Sequence, residues 1–140
     1  MDVARKLLIL VREAGYKLEF KNIKVENLLP KECRDATSID DFFSRLDKAG
    51  KYFEAKRRKA ETQGKRLRYI ARYENGKAKI SLEAVGGDHP FYSLSSNDNI
   101  VAFTTTYYKR PMVIQGPGAG AEVTSGGVFA DIIRISNYLI

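Results

Sequence analysis

Apolar residues at the start of the chain recur at the spacing of one helix face. The stripe comprises Val3, Leu7, Leu10, Val11 and Ala14, widened by Leu8 and Ile9. This spacing predicts a largely buried helix over Asp2–Ala14. Gly15 supplies its end, because glycine enters the left-handed conformation at little cost. Lys21–Leu29 then alternates apolar and polar positions up to Pro30, which predicts a strand running into a loop.

Two helices are predicted next. Thr37 or Ser38 can cap a helix that reaches about Lys48, since two aspartates in its first turn place negative charge at the positive end of the helix dipole. A second helical stretch, Lys51–Thr62, carries many basic residues and ends at Gly64.

In the second half of the chain, apolar and polar residues alternate with a period of two. Strands are expected from Arg66 onward, over Lys79–Val85, over Ile100–Thr106 and over Met112–Gln115, and a helix is expected over Glu122–Leu139. The pair Asn75-Gly76 predicts a tight hairpin turn between the first two strands. The order of elements predicts an α+β fold with a mixed, largely antiparallel sheet and helices on one face.

Length and composition narrow the class of protein. The chain has 140 residues, 44% hydrophobic and 29% charged, which is the balance of one soluble globular domain. One cysteine, Cys33, and one histidine, His89, exclude an internal disulfide and a multi-cysteine or histidine-rich metal centre, so we expect no metal. The longest apolar run, Leu7–Val11, is too short to cross a membrane. We therefore expect a cytoplasmic protein without a membrane partner.

The net charge of +7 is concentrated in one segment. Residues 51–72 hold nine Lys and Arg against two acidic residues, and the remainder of the chain has equal numbers of basic and acidic residues. Such a patch can bind phosphate or nucleic acid, but a basic run such as Lys56-Arg57-Arg58-Lys59 in a helix is more often a solvated face. We therefore expect no nucleic-acid partner and keep anion binding as an alternative.

The strongest local motif is a glycine-rich turn between a strand and a helix. Gly116, Gly118 and Ala121 fit the pattern G-x-G-x-x-G/A, and this arrangement directs backbone N–H groups at an anion. A complete dinucleotide-binding unit also needs a second parallel strand and an acidic residue about twenty positions on. Only nineteen residues follow Ala121, so the loop is not a whole unit of that kind.

Asp2 and Lys6 are a second candidate, because residues four apart lie on the same side of a helix. The simplest interpretation is a surface ion pair. The functional interpretation is that the apolar stripe partly desolvates Lys6, which would make its ammonium a better proton donor.

Both motifs resemble one family. The opening Met1-Asp2-Val3-Ala4-Arg5-Lys6 and the closing segments Gln115–Thr124 and Gly127–Asp131 are similar to the last part of homoserine dehydrogenase, especially of the bifunctional aspartokinase/homoserine dehydrogenases. His89-Pro90-Phe91 and Asp98-Asn99 fall between them in family order. Ser125-Gly126 stands where members usually carry two alanines.

The resemblance implies NAD- or NADP-dependent interconversion of aspartate semialdehyde and homoserine, in threonine and methionine biosynthesis. It implies that Asp2 helps to hold the substrate, that Lys6 is the catalytic acid/base, and that Gly118 and Gly120 approach the cofactor. Hydride transfer to an aldehyde builds negative charge on its oxygen, which an ammonium group can neutralise by giving up a proton.

The resemblance also implies that the chain is a fragment of a longer protein. Residues 1–115 would belong to its substrate-binding and dimerisation domain, and residues 116–140 to a loop and helix that pack on a separate nucleotide-binding domain. We expect this piece alone to be inactive and the parent to form a homo-oligomer. The alternatives are a non-enzymatic module that self-associates and a basic anion-binding domain.

Overall fold

The structure is a computed structural model that describes residues 2–138. Met1 of the opening motif, and Leu139 at the expected end of the last helix, lie outside the described residues. The chain divides between Gly87 and Asp88 into two compact units. The boundary expected at residue 115 concerns domains of a longer protein and stays a prediction.

The first unit combines four helices with a three-stranded sheet. Its elements are α1 (Asp2–Glu13), a 3₁₀ turn (Phe20–Asn22), β1 (Ile23–Val25), α2 (Lys31–Arg34), α3 (Ile39–Lys48), α4 (Gly50–Glu61), β2 (Arg66–Glu74) and β3 (Lys77–Val85). The strand order is β1-β3-β2, with β1 parallel and β2 antiparallel to β3. The sheet is therefore mixed, as expected.

The core of this unit lies between α1 and the sheet. Its buried members are Ala4, Leu7, Val11, Leu18, Ile23, Ala78 and Ile80. Only one face of α1 is buried: Ile9 is 59% and Leu10 38% exposed. The expectation of a largely buried α1 was wrong, because within the described chain the sheet covers one side of this helix and leaves Ile9 and Leu10 in solvent.

Local signals for the ends of the helices are confirmed. Gly15 has φ +86°, and the N–H groups of Gly15 and Tyr16 donate to the carbonyls of Arg12 and Val11, which is the Schellman ending of a helix. Ser38 caps α3, since its hydroxyl accepts from the Asp41 N–H at 3.1 Å.

The hairpin of β2 and β3 is also confirmed. Its turn residues Asn75 and Gly76 have φ of +50° and +74°, as a type I′ turn requires. The strand expected over Lys21–Leu29 was too long, because only Ile23–Val25 pairs with β3 and the segment then leaves the sheet. The short helix α2 was missed.

The second unit contains β4 (Asp98–Phe103), β5 (Met112–Pro117) and α5 (Ala121–Tyr138). The two strands pair antiparallel as a separate sheet. The strands thus form two small sheets within an α+β fold. Each described residue of α5 is exposed, including Phe129 at 63% and Ile132 at 56%.

Candidate functional site

Asp2 and Lys6 form an ion pair at the start of α1. Lys6 Nζ lies 3.1 Å from Asp2 Oδ2, across one turn of the helix. The helix holds this pair in place because Ala4 and Leu7, on its opposite side, are buried against the sheet. The arrangement presents a carboxylate and an ammonium group together, which can bind an amino acid and donate a proton.

Both side chains of the pair are open to solvent in this unit. The side chain of Lys6 is 58% exposed and that of Asp2 74% exposed. Within the described chain the apolar residues of α1 leave Lys6 mostly in solvent, which fits the interpretation of a surface ion pair and not the partial desolvation of the functional interpretation. A lysine that acts here would do so through its position beside the substrate.

The glycine-rich loop lies in the second unit, between β5 and α5. Gly120 has φ +140°, a conformation that favours glycine, and its carbonyl accepts the Thr124 N–H at 3.0 Å, which starts the helix. Nothing lies within 4 Å of an ideal Cβ placed on Gly116 or on Gly120. A planar ligand can therefore approach the backbone closely here, which fits a nicotinamide cofactor.

Gly118 occupies a different environment. A Cβ at this position would overlap the carboxamide of Asn99. Asn97, which directly precedes β4, donates from Nδ2 to the Ala119 carbonyl at 3.1 Å. Sequence reasoning missed both asparagines as neighbours of the loop, since only the β4–β5 pairing brings together residues about twenty positions apart.

The basic segment spans α4 and β2, and five of its nine Lys and Arg residues lie on the helix. Arg57 donates to both Glu54 and Glu61, and Arg58 donates to Glu54 at 2.7 Å. The two arginines lower the pKa of Glu54 to about 2, chiefly through hydrogen bonds with Arg57 and then Arg58. The pKa of Arg57 is raised by the same hydrogen bond with Glu54. These pairs favour the interpretation of a solvated helix face.

The remaining candidates carry structural roles or none. His89 Nδ1 accepts the Phe91 N–H at 3.1 Å, a hydrogen bond that stabilises its loop. Cys33 is buried as a free thiol. Among residues 2–138, no three His, Cys, Asp or Glu side chains lie close enough to hold a metal ion. None of the helices in this range is both long and apolar enough to cross a bilayer.

Comparisons with known proteins agree on one family. Residues 1–133 match the sequence model of homoserine dehydrogenase. The bifunctional aspartokinase/homoserine dehydrogenase 1, chloroplastic, of Zea mays is 46% identical over 99% of this chain. That alignment spans 15% of the maize protein.

Solved structures share the fold. A Candida auris protein described as of unknown function superposes with a TM-score of 0.85 at 36% identity, covering 97% of this chain and 39% of its own. The Staphylococcus aureus homoserine dehydrogenase superposes with a TM-score of 0.65 at 17% identity, covering 99% of this chain and 31% of its own. At that identity the likeness concerns the fold alone.

Proposed function

Because the chain belongs to the homoserine dehydrogenase family, we propose that it provides part of the active site of an enzyme that interconverts aspartate semialdehyde and homoserine. The observation that carries the proposal is the family match over residues 1–133. The maize relative is named as a bifunctional aspartokinase/homoserine dehydrogenase, which supports the same fusion here. A place in threonine and methionine biosynthesis is part of the same proposal and follows from the family resemblance.

Lys6 is the proposed acid/base. Reduction of an aldehyde places negative charge on its oxygen, and the Lys6 ammonium can donate a proton to that oxygen. In the reverse direction the neutral amine accepts the proton of the homoserine hydroxyl. The ion pair at 3.1 Å orients Nζ along one side of α1 before substrate arrives. Lys6 therefore holds the proton on Nζ and transfers it to or from the substrate oxygen.

Asp2 is the proposed substrate-binding group. Its carboxylate is 74% exposed and can accept hydrogen bonds from the ammonium group that both substrates carry. Asp2 also lies in the first turn of α1, where negative charge is stabilised by the helix dipole. Its removal is expected to raise the substrate concentration needed for half-maximal rate.

Gly118 and Gly120 are the proposed cofactor-contacting residues. When bound, a nicotinamide cofactor supplies or accepts the hydride. The open backbone at Gly120 supports close approach of such a group. We propose NAD or NADP without preference, because the residues that contact the adenosine ribose in a dinucleotide fold are not found in this loop.

The test uses the full-length protein with Asp2→Ala and Lys6→Ala assayed separately. Oxidation of homoserine with NADP or NAD is the activity to measure. A loss of turnover in Lys6→Ala, with Asp2→Ala mainly raising KM, would support the assignments. Full activity in both variants would contradict them. The 140-residue chain alone is expected to show no activity, and turnover by it would contradict that expectation.

Self-association is a second candidate property, favoured by the exposed apolar surface of the second unit. Phe129, Ile132 and Ile135 of α5 are each more than half exposed, as is Ile114 of β5. Surfaces of this kind mark interaction sites. We propose a homo-oligomer, which sedimentation at several concentrations tests. A monomer at all concentrations would contradict it.

We also propose that the protein is located in the cytoplasm. A single free cysteine suits a reducing environment such as the cytoplasm. The maize relative is named as chloroplastic. Microscopy of the tagged protein in its own cells would distinguish a cytoplasmic location from an organellar one.

A further inference from the structure

The turn that leads into β4 contacts the glycine-rich loop at successive points. Asn97 Nδ2 donates to the Ala119 carbonyl at 3.1 Å. Gln115 Nε2 donates to Asp98 Oδ2 at 3.0 Å. Register pairing places Asp98 opposite Pro117 and Asn99 opposite Gly116. Three consecutive residues, Asn97 of the turn and the first two residues of β4, thus contact the segment that precedes α5.

Both polar atoms of the Asn97 carboxamide form hydrogen bonds. Its Oδ1 accepts from the Ser96 hydroxyl at 3.3 Å, while its Nδ2 reaches the Ala119 carbonyl. Ser96 has φ +55°, a left-handed conformation that is uncommon for serine and that turns the chain just before Asn97. The hydrogen bond to Ala119 fixes the peptide that joins Ala119 to Gly120.

Asn99 contacts the loop in a different way. Its carboxamide occupies the space that a Cβ on Gly118 would need, and Asn99 Cβ itself would lie 3.2 Å from that atom. Gly118 is therefore required for close packing with Asn99 and not for its backbone angles. Asn99 limits the positions that the middle of the loop can adopt.

We propose that Asn97 and Asn99 are positioning residues that fix the glycine-rich loop for the cofactor. This inference rests on the proposed function, in which Gly118 and Gly120 meet the nicotinamide cofactor. Asn97 fixes the end of the loop at Ala119, and Asn99 fixes its centre at Gly118. Neither side chain needs to touch cofactor or substrate for this role.

The positioning role of Asn97 and Asn99 can be tested without disturbing the fold. Asn97 and Asn99 are both exposed and lie outside the buried core, which belongs to the first unit, so their loss leaves that core intact. Removing one side chain-to-backbone hydrogen bond is expected to weaken cofactor binding by about three- to tenfold. The KM for homoserine is expected to change by less than about twofold, since Asp2 and Lys6 lie in the other unit.

The experiment compares Asn97→Ala, Asn99→Ala and the unsubstituted full-length protein. NADPH and NADH binding is titrated by the fluorescence change of the reduced cofactor, without substrate and without turnover. Asn27→Ala is the matched control, because it makes the same change at an exposed loop position in the first unit. Amide exchange of residues 116–121 is measured in the same proteins and is expected to be faster in Asn97→Ala.

A double substitution tests the Asn99–Gly118 contact directly. Gly118→Ala alone is expected to displace the Asn99 carboxamide and weaken cofactor binding. In Asn99→Ala/Gly118→Ala the carboxamide no longer obstructs the new methyl group, so the combined loss is expected to be smaller than the product of the single losses. Multiplicative effects would overturn the coupling between these two residues.

The outcomes separate this inference from the proposed function. Absence of cofactor binding by the unsubstituted protein would contradict the proposed function. Normal binding by that protein, together with unchanged binding and exchange in Asn97→Ala and Asn99→Ala, would overturn only the positioning role. Weakened binding in both variants but not in Asn27→Ala would support it.

Discussion

Ile80 lies at the centre of the first unit, and its truncation tests the described core. It is 1% exposed on β3, the central strand, opposite Val25 of β1 and Ala71 of β2. Ile80→Ala removes three carbon atoms, worth about 2.4 kcal/mol at about 0.8 kcal/mol per buried methylene. The cavity left behind raises the expected loss in the free energy of unfolding to about 3 to 4 kcal/mol.

Urea unfolding measures this loss, with the reaction of Cys33 with a thiol reagent as the signal. Cys33 is the single cysteine of the chain and is 1% exposed, so its labelling reports the opening of the first unit. Ile9→Ala on α1 is the matched control, because Ile9 is 59% exposed and its loss is expected to cost less than about 0.5 kcal/mol. Equal effects of the two substitutions would refute the described core.

Three further predictions concern local structure in the same unit, each measured by urea unfolding. Gly15→Ala is expected to cost about 1 kcal/mol through its φ of +86° alone, because no atom lies within 4 Å of the new Cβ; an unchanged midpoint would contradict the Schellman ending. Ser38→Ala is expected to cost about 1 kcal/mol through the lost cap of α3, and Ser38→Asp should restore it. Glu54, whose pKa is lowered to about 2 by Arg57 and Arg58, contributes stability that is present above its ordinary pKa of 4.5 and lost as the pH falls toward 2. Glu54→Gln should therefore flatten the dependence of stability on pH between those values, more so at low salt, and an identical profile would contradict the pairing.

The sequence predicted those parts of the fold that depend on neighbouring residues. The Asn75-Gly76 turn, the Ser38 cap and the Gly15 ending each follow from the conformational preference of one or two residues, and the structure has all three. Residue spacing likewise predicted the Asp2–Lys6 pair, since residues four apart on a helix lie together.

The errors concern contacts between distant parts of the chain. β1 is short because it pairs in parallel with β3, more than fifty residues later, and only three positions meet in register. The exposure of Lys6 depends on what covers α1, which helix periodicity alone does not determine. The contacts of Asn97 and Asn99 with the glycine-rich loop depend on the register of β4 and β5.

Turnover of Lys6 variants tests the central claim most directly. In the full-length protein, Lys6→Ala is expected to lower the kcat for homoserine oxidation by about 10²- to 10⁴-fold. Lys6→Arg should be nearly as impaired, because arginine keeps the positive charge beside Asp2 but does not release a proton. Lys17→Ala, at an exposed lysine outside α1, serves as the control and should retain activity.

A measurement of stability distinguishes a loss of catalysis in Lys6→Ala from a loss of folding. The Asp2–Lys6 pair is exposed, so its loss is expected to cost about 0.3 to 0.5 kcal/mol, which leaves the protein folded. The account predicts a folded Lys6→Ala protein with little turnover. Near-normal kcat in both Lys6 variants would contradict it and would leave Asp2 and Lys6 as a structural ion pair.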